Sequence, residues 1–291
     1  MDDRQKKSGF VMLAGRSNVG KSTLLNALVG SKVASVSPKP QTTRRPVRGI
    51  LHDARGQIVF VDTPGIFLGK KDPLSERLNK YVQQETEGID AIVYVVDPTR
   101  APGAEEEHLQ KLLRKLPTPI ILVINKIDLD ADKIPYLETA KHIDVGQKTT
   151  LELSALDAKH LPRLVNALFD LLPIGPAYYP EGQLTDLAHL EWLSELIREK
   201  AFFHLEEELP YSIMAEVTDV QERKNGDRFI AASIFTTDER YKKMIIGHRA
   251  QMIKAIGSDV RKELEIALNQ RVFLDLKVEV DPSWPQRFSS R

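Results

Sequence analysis

Gly15-Arg16-Ser17-Asn18-Val19-Gly20-Lys21-Ser22 sets two glycines, a lysine and a hydroxyl at the spacing GxxxxGK[ST], directly after one apolar run and directly before an amphipathic stretch. That context requires a strand turning into a helix, and it leaves few folds open. Gly15 and Gly20 let the backbone wrap an anion without Cβ clashes, and the loop N–H groups add to the positive end of the helix that follows. Lys21 brings a full charge to the β- and γ-phosphates of a nucleotide, and the Ser22 hydroxyl is a hard oxygen ligand for Mg2+. Arg16, Ser17, Asn18, Val19 and Thr23 complete the loop around the phosphates.

The rest of residues 1–173 agrees with this beginning. Apolar runs at 10–14, 47–51, 58–61, 91–96, 120–124 and 150–153 alternate with helical stretches at 21–29, 75–87, 105–116, 134–141 and 161–171. This is the pattern of an α/β domain built on a mainly parallel sheet. The runs at 47–51 and 58–61 lie too close for a crossover helix, so they form an antiparallel hairpin and the sheet is mixed. Each later motif stands at the end of a strand. Asp62-Thr63-Pro64-Gly65 follows the third run, where Asp62 can hold Mg2+ through a water and the Gly65 N–H can touch the γ-phosphate. Between it and the phosphate loop lies VSPKPQTTRR, residues 36–45, which has the composition of a switch segment. Thr43 is its candidate Mg2+ ligand in the triphosphate state, with Thr42 beside it as the fallback.

Asn125-Lys126-Ile127-Asp128 follows the strand at 120–124 and selects guanine. A carboxylate at Asp128 accepts from both N1 and the 2-amino group of guanine, and adenine would leave it desolvated and unpaired. Asn125 is placed for the other base edge and the Lys126 stem for the ring face. Ser154-Ala155-Leu156, after the next strand, offers a backbone N–H to the guanine O6.

GRSNVGKS, QTTRR, DTPG, NKID and SAL together resemble the Era-type branch of the P-loop GTPases, and the similarity runs through almost the whole chain. The resemblance implies hydrolysis of GTP to GDP and phosphate with Mg2+. At residue 66, where many small GTPases carry a water-orienting glutamine, this chain has isoleucine. Catalysis then falls to Lys21, the metal, Thr43 and backbone donors, and is expected to be slow. In related GTPases an asparagine at the position of Asn18 helps hold K+, and the resemblance implies the same here; Asn18 is equally explained by the tight turn it occupies.

With 291 residues two domains are expected. Residues 174–185, rich in proline and glycine, read as a linker. A second domain at 186–291 runs helix 186–208, strands 212–220 and 228–236 around an Asn225-Gly226 turn, a short helix 241–246, helices over 251–269 broken near Gly257, and a strand 272–280. IREKAFFHLEEELPYS and KKMIIGHRAQMIKAIG within it resemble the C-terminal KH domain of the same family, which implies an α+β type II KH fold that binds the 3′ region of small-subunit ribosomal RNA.

Charge tests that implication. Lys plus Arg and Asp plus Glu are 41 each, so the chain as a whole is neutral and no indiscriminate polyanion binder. Yet residues 240–262 hold seven basic residues against one acid, inside a domain with 16 basic and 19 acidic residues. The candidate RNA contacts are Lys242, Lys243, Gly247, His248, Arg249, Ala250 and Lys254, with Ile245, Ile246 and Ile253 as an apolar floor for unstacked bases. KH domains grip nucleotides with a GXXG loop, and here Ala250 replaces the second glycine. If that position needs φ > 0, alanine costs on the order of 1 kcal/mol; if it opens a helix, alanine is harmless. Loss of RNA binding would leave a GTP-controlled protein or membrane adaptor.

No cysteine is present, so disulfides and thiolate metal sites are excluded. The seven histidines show no ligand spacing. Trp192, Phe202 and Phe203 read as core. The N-terminus has no signal-peptide character and the apolar runs are too short to span a bilayer. A cytoplasmic monomer is expected, and the resemblance adds partnership with the 30S subunit and peripheral contact with the inner face of the cell membrane.

Overall fold

The computed structural model describes residues 6–36, 46–63, 88–223 and 225–289. The expected helix at 75–87, the switch segment after Val36 with Thr42 and Thr43, and Pro64, Gly65 and Ile66 lie outside them. The chain divides into two compact units between Asp186 and Leu187.

The first unit contains β1 (Lys7–Ala14), α1 (Lys21–Val29), β2 (Val47–Asp53), β3 (Gly56–Asp62), β4 (Ala91–Val96), α2 (Ala104–Leu113), β5 (Ile120–Ile124), α3 (Leu137–Lys141), β6 (Thr149–Glu152) and α4 (Leu161–Leu171). Six strands form one sheet in the order β2-β3-β1-β4-β5-β6. All pairs are parallel except β2 with β3, whose register runs from Val47 opposite Asp62 to Asp53 opposite Gly56. β4 and β5 are buried at every position, which is why they read as unbroken apolar runs. Parallel strands end on one edge of the sheet, and every nucleotide motif leaves from that edge.

Helix ends depart from the periodicity at identifiable residues. The expected helix from residue 134 starts only at Leu137, because Pro135 drives Ile134 out of the helical region, to φ −121° and ψ 56°. The supposed linker is held against the first unit as a strap. Ile174 bridges to Lys7 and Thr185 to Gly49 in antiparallel fashion, and Ile50 N donates to Leu184 O at 2.9 Å. At its centre the buried Gln57 carboxamide accepts from Tyr178 N at 2.9 Å and Tyr179 N at 3.0 Å, and donates to Tyr179 O at 2.9 Å. Arg48 Nη1 donates to the Tyr179 hydroxyl and the Phe10 ring packs on Tyr178.

The second unit contains α5 (His189–His204), β7 (Ile213–Glu222), β8 (Arg228–Thr236), α6 (Glu239–Ile246), α7 (Gln251–Leu268), β9 (Val272–Val280) and α8 (Trp284–Ser289). β7 and β8 are antiparallel, with a bulge between Val217 and Asp219, and β9 is parallel to β8. Leu193, Ile197, Ile230, Ile234, Ile256 and Val260 are among the side chains of its core.

Three expectations are corrected here. α7 is continuous through Gly257, because a lone helical glycine costs only about 1 kcal/mol and burial of Ile256, Val260 and Leu264 on one face outweighs it. Ile245 is fully buried and forms core, so it is not a floor for bases. Phe203 is 59% exposed while Phe202 is fully buried. Successive helical residues point about 100° apart, and here the buried face extends through Ala201 and Phe202 and leaves Phe203 outside it.

Candidate functional site

The phosphate loop leaves β1 at Ala14 and enters α1 through Gly20 at φ 98°. A Cβ at Gly15 would stand 2.5 Å from Val95 O and one at Gly20 would stand 2.3 Å from Asn125 Nδ2, so both positions demand glycine. Asn18 is left-handed, at φ 65°, a conformation asparagine tolerates better than most residues. Each carbonyl from residue 15 to residue 19 accepts a hydrogen bond from a side chain. Lys21 Nζ donates to Gly15 O at 3.0 Å and Arg16 O at 2.9 Å, and Arg100 Nη2 donates to Ser17 O at 2.8 Å. Lys126 Nζ donates to Asn18 O at 3.2 Å, and Asn125 Nδ2 to Val19 O at 2.9 Å.

Lys21 is buried, and desolvation lowers its pKa to about 8, with the nearby Arg100 charge in the same direction and Asp62 opposing. Ser22 Oγ donates to Asp62 Oδ2 at 2.5 Å, which brings two hard oxygens together beside the lysine. Two expected contacts are spent elsewhere. The Arg16 guanidinium faces the acidic first turn of α2, at 3.4 Å from both Glu105 Oε2 and Glu106 Oε2, and donates to Ala101 O at 3.1 Å. The buried Thr63 hydroxyl donates to Leu13 O at 2.9 Å and ties β3 to β1. The Ser17 hydroxyl is buried within the loop, with no partner among the described residues.

In the base pocket Asn125 Oδ1 accepts from Ala155 N at 2.9 Å while its amide nitrogen holds Val19 O. Its carboxamide therefore clasps the phosphate loop to the loop at 154–156 and has little capacity left for a base edge. The Ala155 N–H reaches a base oxygen only by sharing or leaving Asn125. Ser154 Oγ donates to Asp128 Oδ1 at 2.6 Å and accepts from Asp157 N at 3.0 Å, which orients the Asp128 carboxylate expected to meet the base. Leu156 is 76% exposed. Lys126 is anchored by Asp97, with Nζ 2.6 Å from Oδ2, so its stem is held beside the loop. The Lys126 and Thr99 hydrogen bonds overcome burial and hold the Asp97 carboxyl below its ordinary range. Asp97, Thr99 and Arg100 carry no motif, and sequence reading missed them; their position just past the end of β4 was the available signal.

In the second unit Asp238 caps α6 by accepting from Tyr241 N at 3.0 Å. The turn into α7 has positive φ at three of its four positions: Gly247 at φ 73°, Arg249 at φ 48° and Ala250 at φ 60°. The alanine thus stands where glycine is preferred. Lys243, His248, Arg249 and Lys254 are exposed, and Lys242 is partly so. Beside them α7 and β9 enclose an open groove of about 1120 Å³, lined by Ile253, Lys254, Gly257, Ser258, Arg261 and Glu265 from the helix and by residues 272–276 of the strand. Apart from the helix's own neighbouring backbone, no atom of the described residues lies within 4 Å of where a Gly257 Cβ would be, so the groove is open at this point. Lys254 is the one expected RNA contact that lines the groove. The 46% exposed Phe273 joins this lining because the parallel pairing of β8 with β9 brings residue 273 to the helix, which the sequence alone does not show.

No cluster of His, Asp and Glu suited to a metal exists among the described residues. The chain matches the family model described as a 50S ribosome-binding GTPase over residues 10–126 and a KH-domain model over residues 208–285. It is 41% identical to GTPase Era of Carboxydothermus hydrogenoformans over 281 residues, covering 96% of this chain and 94% of that protein. It is 39% identical to GTPase Era of Deinococcus deserti over 287 residues, covering 97% and 93%. A crystal structure of Era in complex with MgGDPNP and nucleotides 1506–1542 of 16S ribosomal RNA superposes with a TM-score of 0.85 at 36% identity, covering 97% of this chain and 96% of that one. An Aquifex aeolicus Era variant bound to GDP·AlF4− gives a TM-score of 0.84 at 36% identity, with the same coverage of both chains. With both family models matched on one chain and identity of this size over nearly its full length, the protein belongs to the GTPase Era family: a GTPase domain followed by a KH domain.

Proposed function

We propose that the chain is a slow GTP-hydrolysing switch whose KH domain binds the 3′ region of small-subunit ribosomal RNA during assembly of the 30S subunit. The observation that carries the reading is the convergence, on one sheet edge, of Lys21 and the Ser22–Asp62 pair with an Asp128 carboxylate held by Ser154. The donor set suits Mg2+: Ser22 Oγ would be a direct ligand, Asp62 would accept from a metal-bound water, and Thr43 would join in the triphosphate state. When bound, the metal neutralises charge on the β- and γ-phosphates. Lys21 supplies the second positive charge, and the loop N–H groups supply fixed donors, at no reorganisation cost in the transition state. Asn18 would help hold K+ through its amide oxygen and so bring a third cation to the phosphates; its left-handed backbone by itself also accounts for asparagine at this position. Equal turnover in K+ and Na+ would remove the metal role.

The strap supports coupling between the sites. It is hydrogen-bonded to β2 and β3, the hairpin between the two nucleotide-sensing segments, and the chain passes directly from it into the KH domain. A shift of the hairpin on hydrolysis is therefore felt at the start of that domain. The open groove at Gly257 and the exposed cations near it favour RNA over the adaptor reading. A monomeric, cytoplasmic protein fits this role. Peripheral membrane contact would be made by surface residues, since no described helix is long and apolar enough to cross a bilayer. RNA affinity measured with a GTP analogue, with GDP and without nucleotide tests the whole: three equal affinities would abolish the switch.

A further inference from the structure

We propose that Arg100 is a positioning residue for GTP binding, holding the Ser17–Asn18 peptide of the phosphate loop so that its N–H faces the phosphates. Arg100 lies outside every sequence motif of the site. Its Nη2 donates to Ser17 O at 2.8 Å, and its Nε stands 3.4 Å from Asp97 Oδ2. Asp97 itself is immobilised: its side chain is 2% exposed and accepts from Thr99 N at 2.9 Å, Thr99 Oγ1 at 2.6 Å and Lys126 Nζ at 2.6 Å. One buried carboxylate thereby aims two cations at consecutive carbonyls, Ser17 O and Asn18 O.

A trans peptide points its C=O and the next N–H in opposite directions. Fixing Ser17 O on the outer side of the loop therefore fixes Asn18 N–H on the inner side. The same logic assigns the neighbouring peptides to Lys21, Lys126 and Asn125, each part of a recognised motif. Among the described residues, the side chain that holds Ser17 O is that of Arg100, which no motif contains. The peptide at 17–18 is also the one most in need of a clamp, because Asn18 beyond it is left-handed, and a peptide flip there would relieve strain while presenting a carbonyl to the phosphates. An exposed i,i+3 ion pair alone is worth little. What separates Arg100 from such a pair is the second hydrogen bond, which a guanidinium can make while its Nε faces the carboxylate. The closeness of Arg100 to Lys21 agrees with this placement.

The proposal rests on the nucleotide reading above. The test compares wild-type, Arg100→Ala and Arg100→Lys full-length chains for binding of GDP and of guanosine, for kcat and KM with GTP, and for thermal midpoint. Arg100→Ala is expected to weaken GDP about tenfold, the size of one charge-assisted hydrogen bond, while guanosine binding and the midpoint stay unchanged. Arg100→Lys, which reaches one partner at a time, should recover part of the loss, with KM restored before kcat. Unchanged GDP affinity in Arg100→Ala would overturn the proposal, as would parallel loss of GDP and guanosine, which marks a general structural role. A wild-type chain that binds no GDP would overturn both this and the nucleotide reading.

Discussion

Ser154 donates its hydroxyl hydrogen to Asp128 Oδ1 across 2.6 Å, and this one bond fixes the carboxylate proposed to read the guanine base. Ser154→Ala should lower GDP affinity by about tenfold and narrow the preference for GDP over inosine diphosphate, because a rotating carboxylate loses its hold on the 2-amino group. Asp128→Asn should invert selectivity toward xanthine nucleotides, whose C2 oxygen accepts from an amide. Competition binding with GDP, inosine and xanthosine diphosphates checks both.

Burial sets a pH dependence at Lys21. Its pKa without nucleotide is lowered to about 8, below the ordinary lysine value of 10.5, and bound phosphates favour the charged form and raise it again. Below pH 8 the lysine is already charged and binding moves no proton. Above pH 8 binding takes up a proton, so GDP affinity should fall by up to about tenfold per pH unit until the pKa of the complex is reached. Calorimetry in buffers of different ionisation enthalpy should show proton uptake at pH 9, and none at pH 7. The nucleotide-free protein runs the other way. A depressed lysine pKa means the unfolded state binds more protons between pH 8 and 10.5, so this group's contribution to stability rises through that window.

Two glycine–alanine exchanges in the KH domain should both stabilise it yet differ in their effect on RNA binding. Ala250 is held at φ 60°, so Ala250→Gly should raise stability by about 1 kcal/mol and preserve or strengthen RNA binding. Gly257 lies inside α7 with open space around it, so Gly257→Ala should also stabilise, by about 1 kcal/mol, yet weaken RNA binding by crowding the groove. Denaturant midpoints together with RNA titrations separate the two effects. Loss of stability in Gly257→Ala would show that the helix does not tolerate a Cβ there.

Gln57 is the centre of the strap, with three hydrogen bonds to Tyr178 and Tyr179. Gln57→Leu keeps the volume but removes all three, so the strap should loosen from the hairpin. The ratio of RNA affinities with GTP analogue and with GDP should move toward one, while GDP affinity changes less than about threefold. An unchanged ratio would show that coupling does not pass through the strap.

Much of the site was legible from the chain itself. A phosphate loop is a local object: strand, glycines, lysine and helix are contiguous, and the start and end of α1 agree with the sequence reading. Strands buried on both faces announce themselves, and β4 and β5 fall where the apolar runs do. Positions that depend on neighbours distant in sequence were not legible. Arg16 sits in the phosphate-loop motif, but that its guanidinium faces the glutamates opening α2 depends on residues 89 and 90 positions away. Proline and glycine marked residues 174–185 as a linker, but backbone groups of β2 and the Gln57 side chain turn the segment into part of the first unit. Gly257 looked like a helix break and proved to be a window in a groove wall.

By itself the sequence determined the order of elements, the chemistry of the nucleotide site and the local positive strip at residues 240–262, because each depends on residues adjacent along the chain or on strand ends that a parallel sheet must align. Tertiary structure alone decided which side chains hold which carbonyls of the phosphate loop, since Arg100, Asn125 and Lys126 reach it from 83 to 108 residues away. It also decided that Ala250 is left-handed, because a backbone angle at a turn is set by how the two helices it joins must pack.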